Sequence, residues 1–170
     1  MSILATERLI PGGCRWDVNL RERRPATVDI DADNQWIQIR LTDADTGIGT
    51  AEPPCIHVRL GGDGTVKLRT HRAPPALLLS QTGGRLLPTV PGAEDITVMA
   101  EDDLLMLCSA DVLEHLPAGF RTVIEGSYPA STPDILAALD DLMADVDGGA
   151  VVAVRRITAP AQNPSEGDQR

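Results

Sequence analysis

The chain has 170 residues, of which 42% are hydrophobic and only 2% aromatic, and its formal net charge is −10. A chain of this length fits one domain and buries about two thirds of the surface that its unfolded form exposes. The excess of acidic residues repels phosphate backbones and anionic membranes, so neither a nucleic acid nor a membrane is expected as a partner.

The N-terminal segment and the cysteines indicate the compartment. Residues 1–13 lack a basic leader followed by a long apolar run, and no apolar window of the chain approaches the roughly 20 residues of a membrane helix. Cys14, Cys55 and Cys108 are scattered and odd in number. Because this pattern fits buried free thiols better than a disulfide framework or a zinc site, we expect a cytoplasmic protein.

Most of the chain up to residue 109 is expected to form β-strands. The predicted strands are 14–20, 35–41, 55–60, 65–70, 76–79, 96–100 and 103–109. Alternation is clearest in 35–41, where Ile37, Ile39 and Leu41 share one face. The glycine-rich stretch 61–64 joins two strands and opens no helix, so it predicts a hairpin turn and not a phosphate-binding loop.

One C-terminal helix is also predicted. Ser131 or Thr132 can cap it, and Pro133 suits the first helical position. Its apolar stripe comprises Ile135, Leu139, Leu142 and Val146. Gly148 or Gly149 is expected to end it.

The order of these elements predicts a single α+β domain over residues 1–157. A buried strand is expected over 150–157, and residues 158–170 have the composition of a disordered tail. The arginine-rich stretch 21–24 predicts a solvated loop.

Five segments occur in the order of a known pattern. Residues 12–18 read Gly-Gly-Cys-Arg-Trp-Asp-Val, which is similar to Gly-Gly-Asp-Trp-Tyr-Asp-Val, and residues 42–49 are similar to Gly-Asp-Val-x-Gly-His-Gly. Residues 69–77 are similar to Asn-Ala-Gly-His-Pro-Pro-Pro-Leu-Leu, 108–114 to Tyr-Thr-Asp-Gly-Leu-x-Glu, and 147–154 to Asp-Asp-x-Ala-Val-Leu-Val-Leu. In this order they resemble the PPM-type metal-dependent serine/threonine phosphatases, in the bacterial branch of the sporulation stage II protein E.

The resemblance implies an antiparallel β-sandwich with a reduced helical layer. In the family, several dozen helical residues follow the second segment, whereas here only residues 50–54 precede Cys55. We therefore expect one apolar sheet face to be left partly uncovered and to require a partner.

The resemblance also implies four aspartates that hold two divalent cations and activate a water molecule. The matching positions are Cys14, Ala44 (or Asp43, if one residue is inserted), Ala110 and Gly148. A thiol is a poor ligand for Mg²⁺ or Mn²⁺, and alanine and glycine supply no ligand atom. We therefore expect no metal, no cofactor and no catalytic residue. The prediction is a pseudophosphatase that binds another regulatory protein.

Two other functions remain open. The residual carboxylates are Asp17, Asp43, Asp45, Asp111 and Asp147. From shifted positions they would hold Mn²⁺ or Mg²⁺ in a divergent, active phosphoserine/phosphothreonine phosphatase. Aspartate is also frequent at turns and strand ends, where it accepts backbone hydrogen bonds. The third possibility is a structural subunit that self-associates.

The remaining reactive side chains are expected to be structural. Ser109 lacks a Gly-x-Ser-x-Gly elbow, and no His–Asp partner can be assigned to it. His57, His71 and His115 are expected at the surface.

Overall fold

The computed structural model of the chain describes residues 2–9, 13–43, 52–115 and 132–157, which form two antiparallel sheets packed face to face. In the first sheet the strand order is β1 (Ser2–Leu9), β2 (Arg15–Arg23), β11 (Gly149–Ile157), β10 (Leu104–Cys108), β7 (Ala76–Ser80) and β8 (Gly83–Leu87). In the second sheet it is β3 (Thr27–Ala32), β4 (Trp36–Thr42), β5 (Cys55–Gly61), β6 (Thr65–His71) and β9 (Glu94–Val98).

The main core lies between the two sheets and follows from period-two alternation. On β4, Ile37, Ile39 and Leu41 are buried while Arg40 is exposed, which confirms the pattern predicted for this strand. The hairpin turn predicted after β5 is also confirmed, since Gly64 N donates to Gly61 O at 3.2 Å.

A second apolar cluster lies on the outer side of the first sheet. It is covered by α1 (Ala110–His115) and α2 (Thr132–Met143). The predicted apolar stripe of α2 is confirmed: Ile135, Leu139 and Leu142 are buried against outward residues of β7, β10 and β11. The helix ends at Met143, earlier than predicted, because Ala144 N and Val146 N already bond to carbonyls three residues back. The α+β class with few helices is confirmed.

The arginine-rich stretch predicted as a loop is strand. Arg21 and Arg23 belong to β2, and Arg21 is only 7% exposed. The guanidinium of Arg21 hydrogen-bonds to the carboxylate of Asp140 on α2, and that of Arg23 donates to Val146 O. These partners lie more than a hundred residues away, so local charge could not reveal them.

Three strands escaped the sequence analysis. β8 begins with two glycines and β3 carries two aspartates, compositions that are typical of turns, although both strands are paired along their whole length. β1 pairs with β2 over eight residues.

The outer side of the second sheet carries no helix among the described residues. The sequence predicts an apolar face there, and the structure corrects this prediction. Apart from Trp36 and the two ends of β5, the outward side chains of the central strands are polar or charged, among them Arg40, His57, Arg59, Lys67 and Arg69. Such a face is stable in water without a cover.

Some predictions fall outside the described residues, namely those on Ala44, Asp45, Ser131 and the tail at 158–170. Within the described ranges, neither helix has the length and apolar character that a bilayer-crossing helix requires.

Candidate functional site

Three chain segments from the two sheets meet at one corner of the sandwich. They are Asp43 after β4, the β10–α1 junction at Ser109 and Ala110, and the start of β11 at Gly149. Asp43 Oδ2 accepts from Ala110 N at 2.7 Å, and Ser109 N donates to Ala150 O at 3.0 Å. We refer to this place as the corner site.

Asp43 is held inside the corner site by the backbone. Asp43 is only 8% exposed, and its carboxylate accepts a hydrogen bond from the first amide of α1. A carboxylate in this position satisfies an amide that has no partner within the helix, and it interacts favourably with the helix dipole. Of the two residues that matched the second family aspartate, Asp43 therefore points into the corner site, while Ala44 lies outside the described residues.

The cysteine next to the corner site is chemically inert. Burial raises the pKa of the Cys108 thiol to about 12, and the negative charge of Asp43 contributes to the rise. The thiolate is the form that attacks electrophiles and binds metals. Cys108 is therefore a neutral, packed thiol near pH 7.

Ser109 and Gly149 close the corner site tightly. Ser109 is 1% exposed, and its Oγ accepts from Ala150 N at 3.0 Å. Gly149 has a φ of +104°, and a Cβ at this position would lie 2.6 Å from Ser109 Oγ and 2.7 Å from Val112 Cγ2. Glycine is required here by both conformation and space.

The fourth wall of the corner site is the turn between β2 and β3. A Cβ on Gly148 would lie 3.3 Å from Arg24 O and 3.4 Å from Pro25 Cδ. Thr27 pairs with Thr42, so the next step of the ladder places Ala26 opposite Asp43. Residues 24–26 were not among the predicted site positions, because they include no ligand residue and no recognised motif.

Cys14 does not join the corner site. Its amide donates to Gly62 O, and the neighbouring Arg15 pairs with Ile157, whereas Gly149 pairs with Arg23 at the other end of β2. Eight strand residues at about 3.3 Å each separate those ends by about 26 Å. The structure thus brings together Ala110 and Gly148 but places Cys14 elsewhere.

The residual carboxylates are also divided. Asp17 is buried on the helix-facing side of β2 and pairs across the sheet with Arg155, away from the corner site. Asp111 is half-buried in the first turn of α1, and Asp147 is exposed just before β11. In the described part of the chain, no three His, Cys, Asp or Glu side chains are grouped so as to hold a metal ion.

The histidines lie away from the corner site or at its helix. His57 is half-buried on the outer side of β5, and His71 is the exposed last residue of β6. His115 is the last residue of α1.

Comparison with known proteins shows the fold. No family model matches the chain, and no curated protein matches it. The PP2C phosphatase domain of SpoIIE from Bacillus subtilis is similar over 92% of this chain and 71% of that chain, with a TM-score of 0.68 and 10% identity. RsbX in complex with magnesium is similar over 92% of this chain and 100% of that chain, with a TM-score of 0.65 and 7% identity. PstP in complex with two manganese ions is similar over 93% and 98% of the two chains, with a TM-score of 0.53 and 9% identity.

The chain therefore has a PPM phosphatase-like fold, an antiparallel α+β sandwich with a reduced helical layer. At these identities the likeness concerns the fold alone, and function has to be argued from the site.

Proposed function

We propose that this protein is a pseudophosphatase, a PPM phosphatase-like domain without catalytic activity that acts as a protein-binding regulatory module in bacterial signalling. The observation that carries the proposal is the chemistry of the corner site. Among the described residues, Asp43 is the carboxylate shown to point into it, and it is engaged by the backbone of α1.

Apart from the Ser109 hydroxyl, which already accepts from Ala150 N, the described side chains of the other walls offer no oxygen ligand. These walls are formed by Ala26, Ala110 and Gly148, together with the turn at Arg24 and Pro25. RsbX and PstP were solved with magnesium and with two manganese ions. Such ions prefer several carboxylate or carbonyl oxygens in near-octahedral arrangement, which alanine and glycine side chains cannot supply.

Metal-assisted hydrolysis depends strongly on such ligands. The cations activate the water and stabilise charge in the transition state, and each 1.4 kcal/mol of lost stabilisation costs about tenfold in rate. Binding to a protein requires only a shaped surface, which the sandwich retains. The proposed partner is another regulatory protein, or a second copy of the chain, in the cytoplasm.

Titration calorimetry with Mn²⁺, combined with hydrolysis of a phosphoserine peptide, tests the proposal. We expect neither heat of binding nor turnover from the natural chain. Micromolar Mn²⁺ binding with turnover, both abolished by Asp43→Asn, would instead establish a divergent active phosphatase.

A matched variant shows that the assay can report a metal at this place. Ala110→Asp combined with Gly148→Asp adds two carboxylates beside Asp43, at positions where glycine φ is not required. We expect this variant to bind Mn²⁺ more tightly than the natural chain. Single Asp substitutions at the exposed positions Gln81 and Thr82 serve as controls for a general gain of negative charge.

A further inference from the structure

The outer side of the second sheet, which no helix of the described residues covers, carries an ordered array of positive charge. We define the cationic face as the outward side chains of β4, β5 and β6. In one row across the sheet, Arg40 pairs with His57 and His57 with Arg69. In the next row, Arg59 pairs with Lys67. Four cations thus occupy neighbouring positions in a chain of net charge −10.

Acidic residues are confined to the margins of this face. Asp29 on β3 pairs with Arg40, and Glu94 on β9 pairs with Arg69. No acidic residue stands on the outward positions of β4, β5 or β6. Among the strands of this sheet, only the edge strands therefore face these cations with acid, so the middle of the array keeps a positive potential.

Two of the cations are held in place by one indole ring. The Arg59 guanidinium lies 4.6 Å and the Lys67 ammonium 5.0 Å from the centroid of Trp36. Both charges are therefore within 10 Å of each other, although they repel. A carboxylate supplied from outside would pair with either charge and reduce the repulsion between them.

A cleft of about 670 Å³ opens at one end of the cationic face. Its charged and histidine lining comprises Arg40, Glu52, His57, Arg69, His71 and Arg72. The one acid among them, Glu52, pairs with Arg40 at 2.8 Å, with both side chains about half-exposed. An exposed pair of this kind contributes little and can exchange for an incoming carboxylate.

The face also has an apolar rim. Ile96 and Val98 on the edge strand β9 are 62% and 63% exposed and lie beside Lys67 and Thr65. Exposed β-branched residues next to a cationic array suit a ligand that offers both carboxylates and apolar groups.

We propose that the cationic face docks an acidic segment of a partner protein. Its Asp and Glu carboxylates contact Arg59, Lys67 and Arg69, and its apolar side chains cover Ile96 and Val98. The proposal rests on the proposed function in that it supplies the binding surface of a protein-binding module, and it adds the partner's chemistry. Five strands at about 4.8 Å give a width of about 19 Å, which two helices or a folded-over segment would cover.

Charge complementarity favours a polypeptide over a polyanion. A nucleic acid carries phosphate along its whole length, which the remaining acidic surface of this chain repels. It also offers no apolar side chains for the rim at Ile96 and Val98. An acidic segment limited to the face meets only its cations.

The test uses the full chain and a synthetic helical peptide rich in glutamate and leucine, with a matched peptide in which glutamine replaces every glutamate. We expect the glutamate peptide to bind in calorimetry, to weaken with added salt, and to lose at least about tenfold in affinity in the Arg59→Glu/Lys67→Glu variant. The control Gln81→Glu/Thr82→Glu adds negative charge at exposed positions outside the face and is expected to bind normally. If the reversal variant does not fold, Lys67→Gln/Arg69→Gln replaces it, with the same expected direction.

Four results would overturn the proposal: no binding of the glutamate peptide, equal binding of the glutamine peptide, equal loss in the control variant, or tighter binding of a DNA oligonucleotide. Self-association that is measured by light scattering and lost in the reversal variant would assign the face to a second copy of the chain instead. The outcome is separable from that of the proposed function, because Mn²⁺ binding and turnover report on the corner site and not on this face.

Discussion

The outer faces of the two sheets have opposite chemistry although the sheets share one core. On the first sheet, outward residues such as Leu79, Met106 and Val151 are buried beneath α2. On the second sheet, the corresponding outward positions carry Arg59 and Lys67 and meet no helix among the described residues. A sandwich face can therefore do without a helical layer when its side chains are ones that water solvates.

The largest expected effect separates these two faces directly. Leu139 on α2 is fully buried, so Leu139→Ala is expected to lower the free energy of unfolding by about 2–5 kcal/mol through lost burial and a cavity. Lys67→Ala on the cationic face is expected to change it by no more than about 0.5 kcal/mol. Urea unfolding of both variants measures the contrast. Equal losses would mean that the second face is covered in solution.

The hydrogen bond that joins the two sheets is expected to have the next largest effect on stability. Asp43 follows a strand of the second sheet and binds the first amide of α1, which follows a strand of the first. Asp43→Ala is expected to destabilise the chain by about 1–3 kcal/mol, since it leaves a buried amide without its charged acceptor. The loss should be the same with and without Mn²⁺. A loss that appears only with the metal present would show that Asp43 is a ligand.

A smaller effect is expected for the ion pair between Arg21 and Asp140 on the helix-covered face. Asp140 is largely exposed, while its partner Arg21 is buried. Asp140→Ala is expected to cost about 0.2–1 kcal/mol, because Arg21 also donates to the Asp140 backbone carbonyl, which the substitution keeps. The neighbouring Asp141→Ala is the control. Thermal unfolding at low and high salt compares the two.

The smallest effect concerns pH and belongs to the cationic face. Burial lowers the pKa of His57, the positive charges of Arg69, Arg40 and Arg59 lower it further, and Glu94 raises it. The unfolded chain therefore binds a proton more readily than the folded one, so this group's contribution is complete above the unfolded pKa of about 6.5 and is lost as pH falls through the lower folded value. His57→Asn should flatten the fall in stability below about pH 6.5. An unchanged dependence of stability on pH in this variant would contradict the prediction.

Most of the fold was predicted from the alternation of apolar residues and from residues typical of turns. The strand predicted at 35–41 is β4 to within a residue, because its apolar positions repeat every second residue and tertiary context did not override them. β8 escaped because Gly83 and Gly84 are typical of turns, yet they pair with Ser80 and Leu79 of β7. Pairing with a strong neighbouring strand decided the outcome there.

The site was predicted less completely than the fold. Ala110 and Gly148 do lie at the corner site, since each directly adjoins a strand end that could be placed from the sequence. Cys14 does not lie there. The similarity of residues 12–18 to the family segment does not reveal that Cys14 precedes the end of β2 that lies away from the corner site. Likewise, nothing local marks Arg21 as buried. Its partner is on α2, and contacts between residues so far apart have no signature in a single sequence.

The rate at which the buried Cys108 thiol is alkylated can report local opening next to the corner site. Since its pKa is about 12 and it is 3% exposed, an alkylating reagent cannot modify it while the corner site is closed. The rate of its modification then reports how often the helical cover over the outer side of β10 opens, in the way that amide exchange reports local opening. The modification rate of one natural side chain can thus be used to measure local opening next to the junction between the two sheets.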